Sequence, residues 1–153
     1  MDQTAAFRLV RGLQQFALAS DRFIDVTGGR NKMHRTDLNA LSAVMRHETA
    51  GQAPTASQVG RDLHLSSPAT TAMLDRLERS GHVVRERSES DRRVVLVRST
   101  PKAAEDGRRM FGPMARLLGA SFADYTPEEV EVISRFLADA TTAMETAAKD
   151  LAT

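Results

Sequence analysis

Apolar residues recur at helical spacing over residues 4 to 27, where Phe7, Val10, Leu13, Ala17 and Ile24 form one stripe and Phe16 and Phe23 widen it. The glycines of "TGGR" at 27 to 30 are expected to end that helix. A second helix is predicted from Thr36 as N-cap, with Asp37 in its first turn and Leu38, Leu41, Val44 and Met45 on its apolar face. Gly51 and Pro54 close it. Two short helical patterns follow with almost nothing between them. "TASQ" at 55 to 58 has the form of a capping box, Thr55 as N-cap and Gln58 reaching back, with Val59 and Leu63 behind it. "SSPATTAMLDRLERSG" supplies Ser67 as N-cap, Pro68 at the first helical position and Gly81 as left-handed terminator. Joined by a turn at "HLS", the pair has the outline of a helix-turn-helix.

From His82 to Ser99 the pattern turns strand-like. "HVVRER" and "RRVVLVRS" are rich in β-branched residues and flank the polar tip "SESD", so a hairpin is predicted directly behind the second helix of the pair, the position of a wing. After "STPK" the helical period returns through Phe111, Met114, Leu118 and Phe122, with a kink or break expected near 112 from Gly107, Gly112 and Pro113. A last helix begins at "YTPEEV" with Thr126 as N-cap, Pro127 at the first position and Glu128 and Glu129 near the positive end of the helix dipole. Its apolar residues Val130, Ile133, Leu137, Ala140, Met144, Ala147 and Leu151 are spaced alternately by 3 and 4, the seam of a helix packed on other helices. No repeat or low-complexity linker interrupts the pattern. One mainly α-helical domain spanning residues 1–153 is therefore expected, with a winged helix-turn-helix inside it.

Composition narrows the chemistry. At 41% apolar and 27% charged residues the chain is globular in type. No apolar run reaches the roughly 18 residues of a membrane helix, and "MDQTAAFRLV" carries an acid where a secretory signal carries basic residues, so no membrane partner and a cytoplasmic location are expected. The absence of cysteine removes disulfides, thiol redox sensing and thiolate metal sites. His34, His47, His64 and His82 have neither HxxxH nor HExxH spacing, and the chain has no phosphate-binding glycine loop or GxSxG elbow, so no metal, cofactor or enzymatic activity is expected.

Net charge is only +1, but it is unevenly placed. Residues 76 to 98 hold seven arginines against four acids, a local +3, whereas residues 117 to 153 hold seven acids against two basic residues, a local −5. One region suits a polyanion and the other repels it. Within the predicted helix 67–80, Met73 and Leu77 mark the buried side, while Ser67, Thr71, Asp75 and Glu78 lie opposite, with Pro68 and Ala72 beside them. Small hydroxyl side chains let a helix approach base edges closely. The alternative for that face is ordinary solvation. Arg87, Arg92 and Arg93 near the tip of the hairpin suit the narrow minor groove beside a helix in the major groove. Asp91 is expected to pair with a neighbouring arginine and fix the direction of its guanidinium through a bidentate fork. The alternative there is a set of solvated charges that keep a strand edge from aggregating.

The stretches "LHLSSPATTAMLDRLERSGHVVRERSESDRRVVLV", "STPK" and "YTPEEVEVISRFL", in this order, resemble the MarR family of bacterial transcriptional regulators across nearly the whole chain. The resemblance implies that Arg93 enters the minor groove with Asp91 orienting it, that Ser66, Ser67, Thr70 and Thr71 contact bases or phosphates, and that Arg76 of the "DRL" stretch belongs to the same interface. It also implies a homodimer paired through residues 1–30 and 104–153, with DNA-binding lobes at 36–100 about one DNA turn apart on a pseudo-palindromic operator, a repressor relieved by a small aromatic or anionic ligand. Two residues depart from the family pattern: Ala72 stands where relatives often carry a polar residue, and Ala103 where a glycine commonly follows "TPK". A ligand cleft, if the resemblance extends to it, falls near Phe16, His34, Met45, Arg46, His47 and Met110. Two other functions fit parts of the pattern: a winged-helix architectural or protein-interaction module without sequence preference, and a small-ligand-binding helical protein. Neither uses both the small polar face at 66 to 71 and the "DRR" wing.

Overall fold

A computed structural model describes residues 3–89 and 91–151. Its elements in chain order are α1 (Gln3–Asn31), α2 (Arg35–Thr49), α3 (Ala56–Asp62), α4 (Ser67–Arg79), β1 (Val83–Arg87), β2 (Val95–Ser99), α5 (Pro101–Ser121) and α6 (Pro127–Leu151). The fold is mainly α-helical with one two-stranded wing, as the sequence pattern predicts. Two compact units divide the chain between Met110 and Phe111. No helix among the described residues is long and apolar enough to cross a membrane.

In the first unit, α2, α3, α4 and the wing close around one core of Leu41, Val44, Val59, Met73, Leu74, Leu77, Val83 and Val97, joined by Ala103 from the start of α5. β1 and β2 pair antiparallel from Val83 opposite Ser99 to Arg87 opposite Val95. The backbone before α3 adds to the other side of β2, where the Val97 N–H donates to the Pro54 carbonyl at 2.7 Å. The inward residue Val97 thus seats the root of the hairpin in the core while its tip projects from it. Arg35 ties α2 to α1 through Asp21 and Asp25 at 2.6 and 2.7 Å.

Local signals set most boundaries. Thr55 accepts from the Gln58 N–H at 3.2 Å and Gln58 accepts from the Thr55 N–H at 2.7 Å, the reciprocal capping box that starts α3. Gly81 takes φ +74 just past α4, a conformation that favours glycine. Thr126 and Glu129 cap α6 in the same reciprocal way, at 2.9 and 3.3 Å.

Four boundaries differ from expectation. The first helix does not stop at "TGGR" but continues to Asn31 and is ended by Lys32 at φ 55. Gly28 serves close approach instead, since a Cβ there would lie 2.7 Å from the Met33 carbonyl oxygen. The second helix is capped from His34 rather than Thr36, with the Asp37 carboxylate accepting from the His34 N–H at 3.3 Å. The fourth is capped by Ser66, whose Oγ accepts from the Ala69 N–H at 3.4 Å, so Ser67 is its first residue and Pro68 its second. Proline loses no intrahelical bond at either position. Finally, α5 runs unbroken through Gly112 and Pro113.

Gly60 shows how closely α3 and α4 pack. A Cβ at that position would lie 2.6 Å from Thr70 Oγ1 and 3.3 Å from its Cγ2. Because Thr70 is β-branched and buried, it has little room to rotate away. Gly60→Ala is expected to cost about 1–3 kcal/mol in denaturant unfolding, and Thr70→Ala in the same chain to recover part of that loss.

The second unit contains the end of α5 and all of α6. No residue of α6 is buried, and the exposure along its apolar seam reaches 73% at Met144 and 90% at Leu151. In the first unit α1 likewise exposes Phe7, Leu9, Val10, Phe16 and Leu18. Single exposed apolar residues are ordinary; a whole seam is not.

Candidate nucleic-acid interface

The N-terminal half of α4 presents Ser66, Ser67, Pro68, Ala69, Thr71 and Ala72 to solvent, all small or compact. Thr71 Oγ1 donates to the Ser67 carbonyl at 3.0 Å, which leaves its lone pairs and methyl group facing outward. Thr70 differs from its neighbour. It is 5% exposed, donates to the Ser66 carbonyl at 2.9 Å and packs on Gly60, so it belongs to the joint between α3 and α4 and cannot touch a base edge. A one-residue step on a helix turns the side chain by about 100°, and that step separates a buried threonine from an exposed one.

Arg76 is also committed within the protein. Its Nη2 donates to Asp37 Oδ1 at 2.7 Å and its Nε to Oδ2 at 3.5 Å, and the Asp37 residue is 5% exposed. This fork holds α4 against the first turn of α2. Arg76, expected at the interface, is held in this ion pair with its side chain still 37% exposed.

The wing tip carries Asp91, Arg92 and Arg93, all exposed, with Arg87 at the end of β1. The Arg93 side chain is 96% exposed, and neither Arg87 nor Arg92 has an ion-pair partner among the described residues. Asp91 does not form the expected bidentate fork. Its Oδ1 accepts from the Arg93 backbone N–H at 2.9 Å, its carbonyl accepts from the Val94 N–H at 2.9 Å, and the Arg93 Nε is 3.9 Å away. Asp91 therefore shapes the turn that projects Arg93, a backbone role, and leaves the guanidinium unconstrained.

Behind the wing is a cluster that the sequence pattern did not single out. His82, 5% exposed, lies between Ser80 Oγ at 2.7 Å and Asp106 Oδ2 at 3.0 Å. Lys102 and Arg109 also pair with Asp106, and the hydrogen bond from Lys102, then that from His82, hold its carboxyl below the usual carboxylate range. This network pins the root of β1 to the first turns of α5. Arg85, equally unanticipated, bridges from β1 to Asp75 and Glu78 of α4. For the separate Arg76–Asp37 fork the available signal was the carboxylate of Asp37, beside Leu38 and within one turn of Leu41, because an acid on the edge of an apolar face needs a partner.

The six residues expected near a ligand cleft lie on α1, at the two ends of α2 and on α5. Phe16 is exposed on α1, His34 caps α2 in solvent, Met45 packs against the core, Arg46 is exposed, and Met110 is buried on α5. His47 pairs with Asp62 of α3 at 2.9 Å.

A helix-turn-helix followed by a two-stranded wing defines a winged helix protein. The family model described as "MarR family" matches residues 32–94. Among curated relatives, the uncharacterized HTH-type transcriptional regulator YfiV of Bacillus subtilis is 32% identical over 118 residues, covering 77% of this chain and 71% of that one. A second, YcgE of the same organism, is 34% identical over 91 residues, 60% of this chain and 59% of the relative's length. Among solved structures, a MarR family protein from Bacillus stearothermophilus matches with TM-score 0.69 and 21% identity over 95% of this chain and 99% of that one. The S. aureus MepR–DNA complex matches with TM-score 0.59 and 14% identity, covering 86% and 96%. The chain belongs to the MarR family.

Proposed function

We propose that this chain is a dimeric transcriptional regulator that binds duplex DNA, with α4 in the major groove and the wing in the minor groove. The observation that carries this reading is the division of labour among its polar residues. Ser67, Thr71 and the wing arginines Arg87, Arg92 and Arg93 are exposed, with Arg93 Nε 3.9 Å from Asp91, while Arg76 is engaged by Asp37 and Thr70 is buried. Small hydroxyls on a helix beside a cationic prong fit the two grooves of one DNA face. The same fold occurs in MepR, which was crystallised on DNA. Residues 36–100 form the reading lobe in this account, and two such lobes about 34–36 Å apart read a pseudo-palindromic operator.

Pairing of two chains through residues 1–30 and 104–153 follows from the apolar residues that α1 and α6 each leave exposed. Burial of such surface is the main drive to association. Sedimentation at micromolar concentration is expected to give twice the chain mass, and a monomer mass contradicts the pairing. The regulator is a repressor, and a small aromatic or anionic molecule relieves it by binding near Phe16, Met45 and Met110, with His34, Arg46 and His47 as cationic handles. A compound of that class should raise the melting temperature and lower DNA affinity together; one that does the first without the second does not act as an inducer. The reading needs no metal, cofactor or catalysis, and places the protein in the cytoplasm.

The direct test is a fluorescence-anisotropy titration with duplexes from the protein's own genome at two salt concentrations. Tight binding to a few duplexes with a stoichiometry of two chains supports a regulator. Equal affinity for all duplexes favours an architectural winged-helix protein instead.

A further inference from the structure

The outward stripe of α4 does not end in hydroxyls. Ser67, Thr71, Asp75 and Glu78 follow one another at spacings of 4, 4 and 3, so two carboxylates continue the same face that carries the groove-facing serine and threonine. Acids on a surface that approaches a polyanion oppose binding. Both are met by one side chain from the wing. Arg85 Nη2 donates to Asp75 Oδ1 at 2.7 Å and its Nη1 donates to Glu78 Oε2 at 2.6 Å. The arginine side chain is 26% exposed and has both ends of its fork occupied, in contrast to Arg93, which is 96% exposed with its Nε 3.9 Å from Asp91. On the backbone, Arg85 stands opposite the core residue Val97, so its strand position is set by the packed root of the hairpin.

We propose that Arg85 is a positioning residue for DNA recognition, one that cancels the two acids at the far end of the recognition helix and anchors the wing to that helix without itself touching DNA. This rests on the DNA-binding reading given above. A lysine cannot replace it fully, because a point charge cannot fork two carboxylates at once. If Arg85 were a phosphate contact, its carboxylate partners would compete with DNA for it, and removing them would strengthen binding.

The test uses the full chain in two arms. In the first, DNA affinity is measured at about 0.15 M salt for the parent, Arg85→Gln, Arg85→Lys and the triple variant Arg85→Gln/Asp75→Asn/Glu78→Gln. Arg85→Gln is expected to weaken binding roughly tenfold, Arg85→Lys to fall between it and the parent, and the triple variant to bind at least fivefold more tightly than Arg85→Gln. A triple variant as weak as Arg85→Gln overturns the proposal, since the lost affinity then belonged to a direct contact. In the second arm, amide hydrogen exchange is compared between the wing, at Ser88 and Val94, and the core of α2, at Leu41 and Val44. Arg85→Gln is expected to speed exchange in the wing alone. Equal acceleration at both places marks a general loss of fold and overturns the proposal, as does unchanged wing exchange. Should the parent bind no duplex, the DNA-binding reading fails by itself, and the exchange arm still decides whether Arg85 anchors the wing.

Discussion

Asp37→Ala is expected to destabilise the protein by about 2–3 kcal/mol. The carboxylate is buried, accepts two guanidinium hydrogens from Arg76 and one backbone hydrogen at the start of α2, and has no route to compensation by water. Removing one partner of a buried, hydrogen-bonded pair typically costs 3–5 kcal/mol. The Arg76 side chain is partly exposed and regains some hydration, which brings the expected loss below that range, to about 2–3 kcal/mol. Urea unfolding should show a lower midpoint with an unchanged slope, since the surface exposed on unfolding is the same. DNA affinity should fall as well, because the same pair sets the angle of α4. An Asp37→Ala protein as stable as the parent would show that Arg76 is not held there in solution.

Arg93→Ala is expected to do the reverse, leaving stability unchanged and removing DNA affinity. The side chain is almost wholly exposed, its contact with Asp91 is a loose 3.9 Å, and the backbone N–H that Asp91 accepts is retained by alanine. Binding should weaken by about tenfold on every duplex, and the slope of log affinity against log salt should fall by about one, the signature of one lost phosphate-type contact. Thr71→Ala, by contrast, should leave the salt slope intact and chiefly relax discrimination at one operator position. Because Asp91 acts on the turn, Asp91→Asn keeps the acceptor and should bind DNA nearly as the parent does, whereas Asp91→Ala should resemble a milder Arg93→Ala. Arg93→Ala binding as tightly as the parent would remove the wing from the interface.

The elements that read well from the sequence are those fixed by neighbours in the chain. The Thr55–Gln58 box, Gly81 behind α4 and the Thr126 cap involve partners within about four residues, the strands of the wing pair within 16, and all stand where the pattern put them. Where two residues offered the same local chemistry, the boundary slipped: Ser66 and Ser67 both carry a capping hydroxyl, and proline is tolerated one or two positions later. Glycine is equally ambiguous, since Gly28 reads as a helix stop but is required by the close approach of Met33. The candidate site divides the same way. Exposure of Ser67, Thr71 and the "DRR" tip follows from helical and hairpin periodicity. What periodicity does not carry is pairing across 39 residues, and so Asp37 was legible as an acid in need of a partner but Arg76 was not legible as that partner. Nor was the burial of Thr70, decided by a glycine ten residues earlier, or the bridge from Arg85 to α4.

In the proposed dimer, two copies of one small-faced helix and one exposed arginine prong are held at a spacing that fits successive turns of duplex DNA. Selection of bound fragments from random duplex DNA tests it most directly. The account predicts an enriched site with twofold symmetry whose half-sites are centred about 10 base pairs apart, and loss of that enrichment when the selection is repeated with Arg93→Ala. Recovery of no consensus, or of an asymmetric single half-site, would contradict it.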